Sequence, residues 1–204
     1  MCFSKNISLF TFLTGIIGGL LCYSTGIPEY KIIGLLYAFV SLMQGIEYLL
    51  WIHQTCDDYN RLLSTIGMIL NHLQPVILCI LLFYFKEKFN KKILLLLIIY
   101  LIVIIPYSLK FKNECTMKEN THLNWEWNHM DNAEITYAVF LITLIIFGLF
   151  IPNIGKSFSL ITLISYFFSY FIYKGTVGSM WCFFSAFIPI IYYIYFTLTK
   201  IKVV

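Results

Sequence analysis

A glutamate inside an apolar run is the first residue of this chain whose chemistry needs a reason. Glu47 lies in Ser41-Leu-Met-Gln44-Gly-Ile-Glu47-Tyr48-Leu-Leu-Trp51. Gln44, Glu47 and Trp51 follow i, i+3, i+7 spacing, which puts them on one stripe of a helix. A carboxyl within a membrane-length run is costly, and such groups mark substrate, ion or proton pathways. The next apolar run carries Asn71-His72-Leu73-Gln74-Pro75 near its middle. Asn71 and Gln74 are about 60° apart on a helical wheel, and His72 is turned away from Asn71 by about 100°. Pro75 removes the hydrogen bond to the carbonyl of Asn71 and allows a kink there. The last run adds Ser179, Trp181, Cys182 and Ser185.

These residues define a candidate ligand or ion pathway of Gln44, Glu47, Asn71, His72, Gln74, Ser179 and Trp181. Glu47 is its proton or cation group, Asn71 and Gln74 are its solute-binding groups, and His72 is either a proton relay or a buried neutral imidazole. A second reading competes. Polar side chains also bond membrane helices together, at about 0.6 kcal/mol each, and the protein is then receptor-like or membrane-organising without transport.

Other chemistries find little support. A zinc site needs three or four converging ligands, but His53 falls at a run's end and His122 and His129 lie in a loop. No HExxH or GxxxxGK motif occurs. Lys174 ends a run, so no lysine is placed for a Schiff base with retinal. With no nucleophile–base pair, no catalytic residue, metal or cofactor is assigned, and an enzyme ranks third.

Composition sets the frame for these side chains. The chain has 204 residues, 60% hydrophobic and 12% charged, against about 25% charged in ordinary soluble domains. Its mean hydropathy is +0.82. Apolar runs cover residues 7–25, 30–52, 62–85, 92–109, 133–151, 157–174 and 176–199, each near the roughly 20 residues that cross a bilayer as a helix. None alternates with the period of a membrane barrel. The expectation is an all-α, polytopic membrane protein of seven transmembrane helices in one domain, with the lipid bilayer as its first partner and a small solute, proton or cation as its second. The separation of the last two helices rests on Lys174 and Gly175. The first run reads as a retained helix, with Gly15 and Gly19 forming a GxxxG pair.

Alternate connections divide the charge. Lys31, Lys86, Lys88, Lys91, Lys92, Lys156, Lys200 and Lys202 fall on one side, and most of the acidic residues on the other. The lysine-rich side reads as cytoplasmic, which makes the N-terminus exoplasmic and the C-terminus cytoplasmic. The net charge of +4 is spread over short connections, so no basic patch for nucleic acid forms.

Cys56 and Cys115 both fall on the exoplasmic side, where a disulfide forms if that side is oxidising. The one long connection, residues 110–132, carries Trp125 and Trp127. These tryptophans read as interfacial anchors, with a lid over the polar cluster as the alternative. Residues 65–85 and 176–196 match without gaps at Thr65/Thr176, Gly67/Gly178, Ile77/Ile188, Ile80/Ile191, Tyr84/Tyr195 and Phe85/Phe196, which suggests a 3+1+3 parallel repeat.

The combination of Gln44/Glu47/Trp51, Asn71/Gln74-Pro75 and Trp181-Cys182 resembles uncharacterised small seven-helix membrane proteins of large DNA viruses and protists. That resemblance implies a multi-pass membrane bundle and carries no catalytic assignment.

Overall fold

The computed structural model describes residues 4–86, 91–119, 122–172 and 177–201, with the backbone alone at 86, 179, 200 and 201. The helices are α1 (Lys5–Ser24), α2 (Pro28–Ile52), α3 (Asp58–Lys86), α4 (Lys91–Leu109), α5 (Ala133–Leu149), α6 (Gly155–Ile172), α7 (Val177–Ser185) and α8 (Ile188–Ile201). Between α4 and α5 lie two short strands, β1 (Met117–Glu119) and β2 (His122–Asn124), and a 3-10 turn at Glu126–Asn128.

Local sequence explains most boundaries. Ser4 caps α1 by accepting from the Ile7 amide at 3.4 Å. Pro28 starts α2 and Glu29 occupies its first turn, where the missing amide hydrogen is harmless and a negative charge suits the helix dipole. Asp57 Oδ1 accepts the Asn60 amide at 3.0 Å and so begins α3. The seventh apolar run departs from the expectation of one helix. It breaks at Ala186–Phe187 into α7 and α8 because Pro189 cannot donate to the carbonyl four residues back. The chain tightens there, with Phe187 N–H bonding to the Phe184 carbonyl at 3.2 Å. Residues 173–176, including Lys174 and Gly175, lie outside the described residues.

Among the described residues, five helical segments are long and apolar enough to span a membrane: α1, α2, α3, α4 and Met180–Thr199 across α7–α8. Helix α5 is apolar but has 17 residues, and α6 has 18. Large apolar side chains face outward on these helices, including Leu95, Ile98, Ile102, Ile105 and Leu109 along one stripe of α4. Hydrocarbon is the solvent that such an exterior suits, and the fold is compatible with a multi-pass membrane protein.

Helix α2 is central and packs on α1, α3, α7 and α8. Glycines allow the closest approach. A Cβ at Gly19 would come within 2.6 Å of the Gly34 carbonyl, and Gly15 sits against the Ser41 side chain. In lipid, where apolar burial gives no drive between helices, such close packing holds them together. The 111-residue offset pairs α3, continuous through Pro75, with the interrupted α7–α8, so the matched segments differ in backbone course at Ala186.

Candidate functional site: a polar cluster under a tryptophan lid

Helix α3 presents Asn60, Ser64, Gly67, Asn71 and Gln74 along one face, because their spacing of four and three residues returns to the same side each turn. All five are buried. At the lower part of this face, Gln74 Nε2 lies 3.5 Å from Asn71 Oδ1 and 3.8 Å from Cys182 Sγ on α7. Glu47 of α2 is fully buried and close enough for its charge to be felt at the Cys182 thiol. Thus α2, α3 and α7 bring Glu47, Asn71, Gln74 and Cys182 together. Asn71 Nδ2 and Gln74 Oε1 have no hydrogen-bond partner among the described residues.

The other sequence-derived candidates are distributed differently. Gln44 is fully buried, but its Oε1 faces Thr11 Oγ1 of α1 at 2.9 Å. Trp181 turns toward α5 and meets the Phe140 ring edge-on, with centroids 5.8 Å apart. The Ser179 side chain lies outside the described residues.

His72 faces a different side of α3, about 100° round from Asn71. Its Nδ1 lies 2.8 Å from Ser108 Oγ, and the Ser108 hydroxyl donates to the Ile104 carbonyl at 2.8 Å. A hydroxyl has one hydrogen, so His72 Nδ1 is the donor in this pair and Nε2 carries the lone pair. That Nε2 faces Tyr137 Oη at 3.5 Å. The rings of Tyr107 and Trp127 stand 5.8 Å from the imidazole, and that of Tyr137 stands 6.2 Å away.

Above both clusters, the 110–132 connection folds into the bundle. Trp125 and Trp127 are each 1% exposed, which replaces interfacial anchoring with the lid alternative. The Trp125 ring rests over Gly67, where an added Cβ would meet Cζ3 at 2.7 Å. Tyr107 Oη donates to the Trp127 carbonyl. The hairpin β1–β2, paired antiparallel from Met117↔Asn124 to Glu119↔His122, leads the chain into this position.

The lid is fastened at its root. Cys56 and Cys115 form a disulfide across 59 residues of sequence. Asn60 pairs with Thr116, one residue after Cys115, as a neighbouring strand would: its Oδ1 accepts the Thr116 amide at 2.9 Å and its Nδ2 donates to the Thr116 carbonyl at 3.1 Å. Ser64 Oγ lies 2.8 Å from Thr116 Oγ1, and the Lys118 amide donates to Gln54 Oε1 at 2.7 Å. The backbone hydrogen bond from Asn60 and the His53 side chain, 2.9 Å from Asp57 Oδ2, hold the Asp57 carboxyl below the ordinary carboxylate range. Burial lowers the His122 imidazole in β2. Outside the lid, a cavity of about 770 Å³ is lined by Lys110, Lys112, Glu114, Glu126 and Asp131.

Asn60, Ser64, Ser108, Thr116 and Tyr137 join the site beyond the residues that stand out in the sequence. A signal for the first two was present in their register with Gly67, Asn71 and Gln74. Nothing in the local sequence announces that Thr116, Ser108 or Tyr137 meets α3.

The chain matches no protein-family model, no curated protein and no solved structure. The fold and site define an all-helical bundle with an apolar exterior and a buried polar cluster.

Proposed function

We propose that the protein is a seven-span membrane transporter or ion-conducting protein, with a site for a small solute, proton or cation between α2, α3 and α7. The observation that carries this reading is the pair of unpartnered atoms, Asn71 Nδ2 and Gln74 Oε1, buried beside Cys182 and Glu47. Buried polar atoms are nearly always hydrogen-bonded, and one donor next to one acceptor suits a polar solute or a hydrated ion. Glu47 supplies the charge, and the Trp125–Trp127 segment is a lid that must move for access from its end.

The lid end is exoplasmic and the lysine-bearing end cytoplasmic in this reading. A disulfide at the lid root suits an oxidising compartment. Asn153 Nδ2 bonds Glu29 Oε1 at 2.8 Å, which brings the starts of α2 and α6, with Lys31 and Lys156, to the same end. Lysine enrichment there follows the positive-inside rule.

A structural role without transport is the second reading. The Thr11–Gln44 contact between α1 and α2 favours it for Gln44.

The test is flux into proteoliposomes loaded with the full chain. Glu47→Gln is expected to abolish flux or its pH dependence, and Asn71→Leu and Gln74→Leu to lower it in protein that still expresses and elutes as one species. Unchanged flux in all three, or none in wild type, would sink the transport reading; loss of folding alone in the Asn71 and Gln74 variants would assign them to packing.

A further inference from the structure

The polar side chains of the bundle do not end at Glu47. Along α2, Glu47, Gln44, Ser41 and Tyr37 are each buried to within 1%, and they recur at intervals of three or four residues on neighbouring faces of the helix. From Glu47 to Tyr37 the axis advances about 15 Å toward the lysine-bearing end.

The facing helices continue this file with hydroxyls. Ser185 of α7 is fully buried, and its Oγ has no hydrogen-bond partner among the described residues. Its neighbour Ala186 packs at the level of Gly15 and Ser41, which places Ser185 between the depths of Gln44 and Tyr37. The Tyr37 hydroxyl and Thr162 Oγ1 of α6 are both buried without a hydrogen-bond partner among the described residues, and Tyr37 is near enough to Thr162 and to Tyr192 of α8 to be influenced by both. Tyr192 Oη in turn lies 2.9 Å from Ser157 Oγ, in the first turns of α6.

Serine and threonine inside helices usually bond back to a carbonyl one turn earlier. Ser41 does this, donating to the Tyr37 carbonyl at 2.7 Å. Ser185 makes no such bond. Three buried hydroxyls on that file without a partner among the described residues, Ser185, Tyr37 and Thr162, leading to the Tyr192–Ser157 pair, are the feature that packing alone does not explain.

We propose that this file is a proton path running from Glu47 past Ser185, Thr162 and Tyr37 to Tyr192 and Ser157, so that the species carried is the proton. The proposal rests on the transport reading above and names its substrate. A hydroxyl both donates and accepts, so each oxygen can take a proton from one side and release its own hydrogen to the other. Only O–H bonds form and break, and no electrons are transferred. Where hydroxyls stand a helical turn apart, transfer between them needs a bridging water. Glu47 is the only fully buried carboxylate among the described residues. Past it the file offers no second anion, so a metal cation stripped of its water would be poorly compensated.

The experiment uses the full chain in liposomes with a pH-sensitive dye inside and potassium with valinomycin to balance charge. Tyr37→Phe, Thr162→Val and Ser185→Ala each delete one hydroxyl and nearly preserve shape. Proton flux is expected to fall at least about tenfold, a barrier increase of about 1.4 kcal/mol, in Tyr37→Phe and Thr162→Val. Thr162→Ser, which restores a hydroxyl, should return it, and sodium flux should stay at background throughout. Proton flux that survives these substitutions yet disappears in Glu47→Gln refutes the path and leaves the Glu47 site standing. Sodium or solute flux without proton flux refutes the proton assignment alone. No flux of any species in wild type removes both readings. Should Tyr37→Phe fail to elute as one species, the comparison of Thr162→Val with Thr162→Ser decides.

Discussion

Gly67 is the seat of Trp125. The indole lies so close to the α3 backbone that a single added methyl at residue 67 would meet Cζ3 and Cη2 at 2.7 and 2.8 Å. Neither partner can yield easily, because the contact atoms belong to a helix backbone and a rigid ring. Gly67→Ala is therefore expected to lift Trp125 from its place and destabilise the protein by about 1–3 kcal/mol, the usual cost of overpacking. Tryptophan emission should shift to the red, and collisional quenching should rise. Unchanged emission and quenching in a folded Gly67→Ala protein would show that the ring does not rest there.

Asn60 fastens the lid root with a side chain acting as a strand edge. Its amide satisfies both the N–H and the carbonyl of Thr116. Asn60→Ala leaves the Thr116 carbonyl unmatched, while Ser64 Oγ still accepts the Thr116 amide at 2.9 Å, so the cost is about 1–3 kcal/mol for one unsatisfied buried group. Asn60→Asp keeps an acceptor for the Thr116 amide and removes the donor, so the second carboxylate oxygen is set against the carbonyls of Thr116 and His53. Thermal unfolding is expected to order the three proteins as wild type above both variants. Equal midpoints would remove the strand-like pairing as a source of stability.

The disulfide acts on the same root through the unfolded chain. Closing a loop of 59 residues between Cys56 and Cys115 limits the denatured ensemble, an effect of about 2–4 kcal/mol in typical cases. Reduction, or the Cys56→Ser/Cys115→Ser double substitution, should lower the unfolding midpoint and increase amide exchange at residues 111–119. Because Asn60 and Ser64 still hold Thr116, the Trp125–Trp127 segment should remain buried in the reduced protein. Full exposure of both indoles on reduction would assign the whole fastening to the disulfide.

The helices were legible because each element has its own local cause: apolar length, Pro28 in the first turn of α2, the acidic start of α3. Glu47, Asn71 and Gln74 stood out because polar groups in apolar runs are costly wherever they occur. The lid could not be read in the same way. Two tryptophans in a polar connection suit an interface as well as a cavity, and only the absence of a side chain at Gly67, 58 residues before Trp125 in the sequence, decides between them. His72 shows the complementary limit. Its position on the helical wheel separates it from Asn71, yet its partners Ser108 and Tyr137 come from α4 and α5, whose approach no local pattern encodes. The break at Ala186 was readable from Pro189, but the long apolar run around it favours a single span.

Acid should weaken the lid-bearing end in two steps. Burial lowers the His122 imidazole in the folded state relative to its ordinary value of 6.5. The folded protein then binds that proton less readily than the unfolded chain, so the contribution of His122 is complete above 6.5 and lost as pH falls below it. Asp57 is depressed below its ordinary value of 3.8 by the Asn60 amide first and His53 second. Its contribution is complete above 3.8 and lost as pH falls through the lower folded value. Wild type should therefore lose stability relative to His122→Gln between about pH 7 and pH 5, the imidazole range. Relative to Asp57→Asn it should lose stability only below about pH 4, the carboxylate range. Unfolding midpoints across that range check both steps, and a His122→Gln difference that stays constant from neutral pH to about pH 5 would overturn the first.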